Sequence, residues 1–254
     1  MTTEEPAVGD GAAPVYPPRE DTLLLLPFAA AGPGVSVLDV GTGSGLLATA
    51  AARSGARTTA TDVNPHALRR LAAAARDGGL TIALVRTDLA RGLGRFDRIL
   101  FNPPYLPTRP AARDPVRWQN VALDGGPDGL GPTRRLMARL PRHLAPGGTA
   151  FVVVSSLAPA AARRRLRRAW RRRGTLSVVA GRALEGERLE VWRLGLVAGR
   201  ASGPARRAPA PRRGTAGRPR GRRARPPGSS RAPDRGRTTA PGGASARRRS
   251  PRGS

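Results

Sequence analysis

Val35-Ser-Val-Leu-Asp-Val-Gly-Thr-Gly-Ser-Gly45 is the stretch that decides the fold. Residues 35–40 are apolar but for Ser36 and Asp39, the pattern of a strand covered on both faces. Gly41, Gly43 and Gly45 make a tight turn into a helix spelled LLATAAARSGA. Outward from it, 57–62 reads as a second strand, and Asn64-Pro65 supplies a cap and a first-turn proline for a helix through Arg76. Residues 80–86 and 96–101 read as the third and fourth strands, and 131–143 as a helix. His143 to Gly148 turns into a strand at 149–156, and an arginine-rich helix follows. Segments near 175–180 and 188–197, with Gly186 between them, close the pattern as a hairpin at a sheet edge. The expected fold is α/β and Rossmann-like: a doubly wound, mostly parallel seven-stranded sheet with an antiparallel edge hairpin.

Composition sets the outer bounds. The 254 residues hold 45 basic and 17 acidic side chains, a net charge of +28, and every basic one is arginine. Such usage, beside abundant Ala, Gly and Pro, fits a GC-rich coding sequence better than selection for nucleic-acid binding. With no cysteine, disulfides, zinc–thiolate sites and thiol nucleophiles are excluded. Residues 200–254 carry 17 Arg against Asp234 alone, with no aromatic residue and no Leu, Ile, Val or Met. A segment with nothing to bury and strong self-repulsion is expected to be disordered. The expected domains are therefore a flexible stretch 1–13, a folded domain 14–198 and a disordered tail 199–254. The tail can attract nucleic acid only weakly and non-specifically, through phosphates. In the helix near Arg163–Arg173, Leu166 and Trp170 stand four apart and give it a docking stripe. No stretch reads as a leader or a membrane span, so the expected compartment is the cytoplasm, with no membrane partner.

The glycine turn suits a particular ligand. Asp39 stands two residues before Gly41, where it can hold an ammonium but would repel a pyrophosphate. Asp62 ends the second strand, where a carboxylate accepts both hydroxyls of a ribose. S-adenosylmethionine has a ribose, an ammonium and no phosphate, and is the cofactor expected, with no metal. Asp88, after the third strand, is placed to meet the adenine amine or to cap a helix from an exposed position.

Asn102-Pro-Pro-Tyr105 follows the fourth strand. An amide or ring-amine nitrogen has its lone pair delocalised, and a site can help by accepting both N–H hydrogens and aiming the lone pair at the methyl. The Asn102 side-chain oxygen and the Pro103 carbonyl are two such acceptors. Proline stiffens the loop, and Tyr105 offers a face to a planar group. Glutamine amides and adenine amines both fit. His66 and His143 read as surface or helix-end residues, not bases.

These residues resemble the HemK/PrmC-type methyltransferases, which modify the glutamine of the Gly-Gly-Gln motif of release factors. The likeness covers roughly 14–197: Tyr16-Pro-Pro-Arg-Glu-Asp-Thr22, the turn 39–45, Asp62-Val-Asn-Pro65, Thr87-Asp-Leu89, FNPPY at 101–105 and ALDGGPDGL at 122–130. The resemblance implies that Thr22 closes over the methionine end of the cofactor and that Asp39 and Gly41, with Thr42, Gly43 and Gly45 of the turn, serve its amino-acid part. It gives Asp62 the ribose, Asp88 and Leu89 the adenine, Asn102 both cofactor and substrate, and Pro103, Pro104 and Tyr105 the substrate clamp. Bacterial members carry a helical recognition domain ahead of the catalytic one, whereas here about 15 residues precede the YPPREDT stretch. That short front resembles the archaeal and eukaryotic branch, whose members act with a small activator subunit. Adenine methylation of DNA or RNA is the rival activity. An inactive methyltransferase fold that associates with nucleic acid is the second alternative.

Overall fold

The computed structural model describes residue 15 and residues 17–108 and 117–197. The expected tail and N-terminal stretch lie outside the described residues. β1, Ser36–Val40, is buried at all five positions, as its apolar run implies. Helix α1 (Glu20–Leu25) precedes it; α2 (Leu46–Arg53), β2 (Arg57–Asp62), α3 (Pro65–Asp77), β3 (Ile82–Arg86) and β4 (Phe96–Phe101) follow. Then come α4 (Arg117–Leu123), α5 (Gly131–His143), β5 (Leu144–Ser155), α6 (Ala160–Arg171), β6 (Gly174–Leu184) and β7 (Glu187–Leu196). One seven-stranded sheet has the order β3-β2-β1-β4-β5-β7-β6. β1 to β5 are mutually parallel, while β7 runs antiparallel to both β5 and β6. The chain winds outward from β1 to β3, then returns to lay β4 on the other side of β1. That reversal opens a crevice at the carboxyl ends of β1 and β4, where doubly wound sheets hold their ligands.

Two apolar layers cover the sheet. On one face Leu25 of α1 packs with Val37, Leu47, Leu100 and Val191. On the other, Leu136 and Leu140 of α5 pack with Leu166 and Trp170 of α6. Trp170 is 2% exposed, and its indole N–H donates to the Thr175 carbonyl at 2.8 Å, so the arginine-rich helix docks by the expected stripe.

Several boundaries differ from the sequence reading. β5 starts at Leu144, because Leu144 pairs with Phe96 and a register shift between Phe96 and Arg98 absorbs the Pro-Gly-Gly stretch as an irregularity within the strand. β6 is twice the expected length, since the hairpin pairs continuously down to Leu184 and Glu187. α1 and α4 were not foreseen. His143 ends α5, in keeping with the helix-end reading, and it is buried, with Nδ1 at 3.2 Å from the Gly94 carbonyl oxygen.

Candidate active site

The glycine turn is fastened from below. Gly41, Gly43 and Gly45 all have positive φ, which favours glycine at each, and a Cβ on Gly45 would also press on the Leu71 side chain of α3 at 2.7 Å. The Thr42 amide donates to the Thr61 carbonyl at 2.8 Å, tying the turn to β2. Asp39 is 1% exposed, and its Oδ2 accepts from the Thr42 hydroxyl at 2.7 Å and the Ala48 amide at 3.1 Å. Burial pushes its carboxyl up to about 6, against the opposing pull of those two hydrogen bonds. Asp62 accepts from the Gly43 amide at 3.0 Å and the Asn64 amide at 2.8 Å; burial raises it as well. Neither acid has a cation partner among the described residues.

This raised value has a measurable consequence. The folded form holds the Asp39 proton more tightly than the unfolded chain, so stability is lost as pH rises from about 4 to about 6. Linkage puts the loss on the order of 2–3 kcal/mol. Urea midpoints at pH 4 and pH 7 should therefore differ more in the parent than in Asp39→Asn. Parallel pH curves for the two proteins would contradict this reading of the buried acid.

Gly41, Thr42, Gly43, Asp62, Asp88, Leu89, Thr22 and the tetrad 102–105 line one cavity of ≈ 1310 Å³. Asp39 and Gly45 are not in that lining; they lie under it and shape the turn. Leu89 is the only described non-glycine residue with positive φ, at 55°, a conformation of the kind that gathers at ligand sites. Asp88 has a charged partner of its own. Its carboxylate is half exposed and paired with Arg135 at 2.8 Å, so an adenine amine would share it with a guanidinium. Arg135 stands 47 residues further along, and no local pattern announces the pair. Trp118 of α4, also unforeseen, lines the cavity and meets the His66 ring edge-on at 6.3 Å between centroids.

The tetrad is held from two directions. From α1, buried Asp21 accepts from the Thr22 amide at 2.6 Å, the Thr22 hydroxyl at 3.2 Å and the Tyr105 hydroxyl at 3.1 Å. Thr22 Oγ1 in turn accepts from Asn102 Nδ2 at 3.1 Å. Asn102 Oδ1 is left buried with no hydrogen-bond partner. From the other side, residues 122–131 pack backbone on backbone. The Leu106 amide donates to the Leu123 carbonyl at 3.1 Å, and the Gly125 amide to the Leu106 carbonyl at 2.9 Å. A Cβ on Gly125 would fall 2.8 Å from Tyr105 Cα. The glycines of the 122–130 stretch thus let it seat against the tetrad.

The donor set fits an S-adenosylmethionine-type ligand. Two buried carboxylates without cations suit a positively charged ligand and would repel a pyrophosphate. A parallel sheet with such a glycine turn at its point of reversal, and a proline-stiffened asparagine on the neighbouring strand, defines a Rossmann-like, S-adenosylmethionine-dependent methyltransferase. In agreement, residues 20–119 match the Methyltransferase small domain family. A protein of Methanocaldococcus jannaschii named "Putative protein N5-glutamine methyltransferase" is 38% identical over 145 residues, 56% of this chain and 73% of that one. The release factor glutamine methyltransferase of Rhodospirillum rubrum is 42% identical over 151 residues, 53% of this chain but only 45% of that one. The chain belongs to the HemK/PrmC-type family of protein glutamine methyltransferases. Among solved structures, the E. cuniculi Mtq2–Trm112 complex, responsible for methylating the termination factor eRF1, has the same fold (TM-score 0.55, 24% identity, 72% of this chain and 99% of that one). Among the described residues, no helix is long and apolar enough to cross a membrane.

Proposed function

We propose that this protein methylates the side-chain amide nitrogen of a glutamine in a peptide-chain release factor, as a cytoplasmic enzyme acting without a metal. The observation that carries the proposal is the unpartnered Oδ1 of Asn102 beside a cofactor-type turn. An amide nitrogen has two hydrogens to give, and a buried acceptor without a donor costs about 1–3 kcal/mol unless one arrives. The archaeal and bacterial relatives, both glutamine methyltransferases by name, support glutamine as the acceptor. The pairing of Mtq2 with Trm112 in E. cuniculi supports a small activator subunit as a partner.

S-adenosylmethionine supplies an electrophilic methyl on a sulfonium. The residues of the chain position what lies on either side of it. Asp62 holds the ribose, Asp88 and Leu89 border the adenine, and Thr22, Gly41, Thr42 and Gly43 enclose the amino-acid end, with Asp39 and Gly45 supporting the turn. Asn102 and the Pro103 carbonyl accept the two substrate N–H groups, which fixes the nitrogen lone pair toward the methyl. Pro104 and Tyr105 clamp the planar amide. The nitrogen loses its extra proton after transfer, so no dedicated base is required. Residues 14–198 form the catalytic domain in this proposal, and the arginine-rich tail adds at most weak, salt-sensitive attraction to nucleic acid.

Two measurements test it. Asp62→Ala should weaken S-adenosylmethionine binding by about 1–3 kcal/mol in isothermal titration, the usual loss for charge-assisted hydrogen bonds. Equal affinities would displace the cofactor from this pocket. The substrate assay offers a Gly-Gly-Gln release-factor domain and an adenine-containing duplex side by side, with tritiated cofactor. Label should enter the protein. Label on the duplex alone would replace glutamine by adenine and leave methyl transfer standing.

A further inference from the structure

We infer that Asp21 is a positioning residue that sets the direction of the hydrogen bonds through which Asn102 presents an acceptor to the substrate nitrogen. The inference rests on the glutamine-amide reading and deepens it. A carboxylate can only accept hydrogen bonds, so it fixes the sense of every chain that ends on it. The Thr22 hydroxyl spends its single proton on Asp21 Oδ1 at 3.2 Å. It therefore has only lone pairs left for Asn102, and the Asn102 amide must turn Nδ2 toward it, at 3.1 Å. Oδ1 is then the atom left over, buried and unpartnered. Tyr105 is bound by the same logic, since its hydroxyl donates to Asp21 Oδ2 at 3.1 Å and the ring is held beside the tetrad. One buried carboxylate on α1 thus orders two residues that lie 81 and 84 positions further along the chain.

Asparagine at position 21 keeps the shape and removes the direction. Its NH2 can donate to Thr22, Thr22 can then donate to Asn102 Oδ1, and Asn102 would turn its own NH2 toward a substrate that also has only N–H groups to offer. The expected result for Asp21→Asn is a fall in kcat on the Gly-Gly-Gln domain of tenfold or more. KM and the melting temperature should stay close to those of the parent. Tyr105→Phe, which removes one hydroxyl and leaves the Thr22 branch intact, should lose less.

A second readout needs no substrate. The chain has three asparagines, Asn64, Asn102 and Asn120, so asparagine-selective 15N labelling gives a short spectrum of side-chain amides. The Asn102 pair, identified by its absence in Asn102→Ala, should shift and lose protection from exchange in Asp21→Asn. Parental kcat in Asp21→Asn would overturn the inference, as would an unmoved Asn102 pair. A melting temperature that falls in step with activity would also overturn it, because that is the mark of packing alone. The spectrum stands whichever substrate the parent methylates, and label on a glutamine in the parent stands whatever Asp21 does.

Discussion

Asn102→Ala is expected to lower turnover of the Gly-Gly-Gln domain by about a hundredfold or more while cofactor affinity changes much less. The acceptor it removes matters most as the substrate nitrogen becomes positive, so the loss belongs to the transition state and should appear in kcat more than in KM. The magnitude follows from preorganised polar groups elsewhere, where one lost donor of an oxyanion hole costs about 2.7–4 kcal/mol. In the free enzyme the effect on stability is small, because Oδ1 has no partner to lose. Asn102→Ala should therefore fold at least as stably as its lost Thr22 hydrogen bond allows, within about 1 kcal/mol of the parent. Single-turnover kinetics and a urea curve on the same preparation check both halves. A variant with parental kcat would remove Asn102 from the chemistry.

Gly129→Ala is the second substitution with a large expected effect, and it touches neither ligand. Gly129 has φ +69°, and an added Cβ would overlap the Tyr105 carbonyl oxygen, a backbone atom that cannot swing aside. A left-handed alanine costs about 1–2 kcal/mol, and forced overpacking adds about 1–3 kcal/mol. The expected loss is thus about 2–5 kcal/mol, together with a fall in turnover as Tyr105 is pushed off its seat. Gly126→Ala is the natural control. Its φ is +80°, but a Cβ there meets nothing within 4 Å, so only the conformational cost of about 1–2 kcal/mol applies. Equal losses in the two variants, with turnover intact, would show that the close approach to Tyr105 is unimportant.

The middle of the sheet was legible because β1, β3 and the second half of β5 carry apolar runs, and because the glycine turn and Asn64-Pro65 mark where helices begin. Asn64 caps α3 as the sequence implies, its side chain accepting from the His66 amide at 2.9 Å. Irregular elements were less legible. α1 is six residues long with no side-chain cap, and its apolar residues show no helical period, so nothing local separates EDTLLL from a loop. Pro146-Gly-Gly148 has the composition of a turn, yet pairing with β4 carries the strand through it. The motif residues of the site were legible, whereas their supports were not. Asp21 sits beside a motif threonine, and only the return of α1 across the carboxyl end of β4 gives it work to do. The Asp88–Arg135 pair likewise exists only in three dimensions.

The position of α1 in the chain decides which substitutions reach the tetrad. Asp21 and Thr22 come before β1, outside the repeating strand–helix units that build the cofactor turn, and they meet the tetrad only because α1 folds back over it. The tetrad is therefore braced by a piece of the polypeptide that precedes the units forming the glycine turn. A substitution in α1 is felt at the tetrad, while the glycine turn keeps its own hydrogen bonds to Thr61 and Asp62.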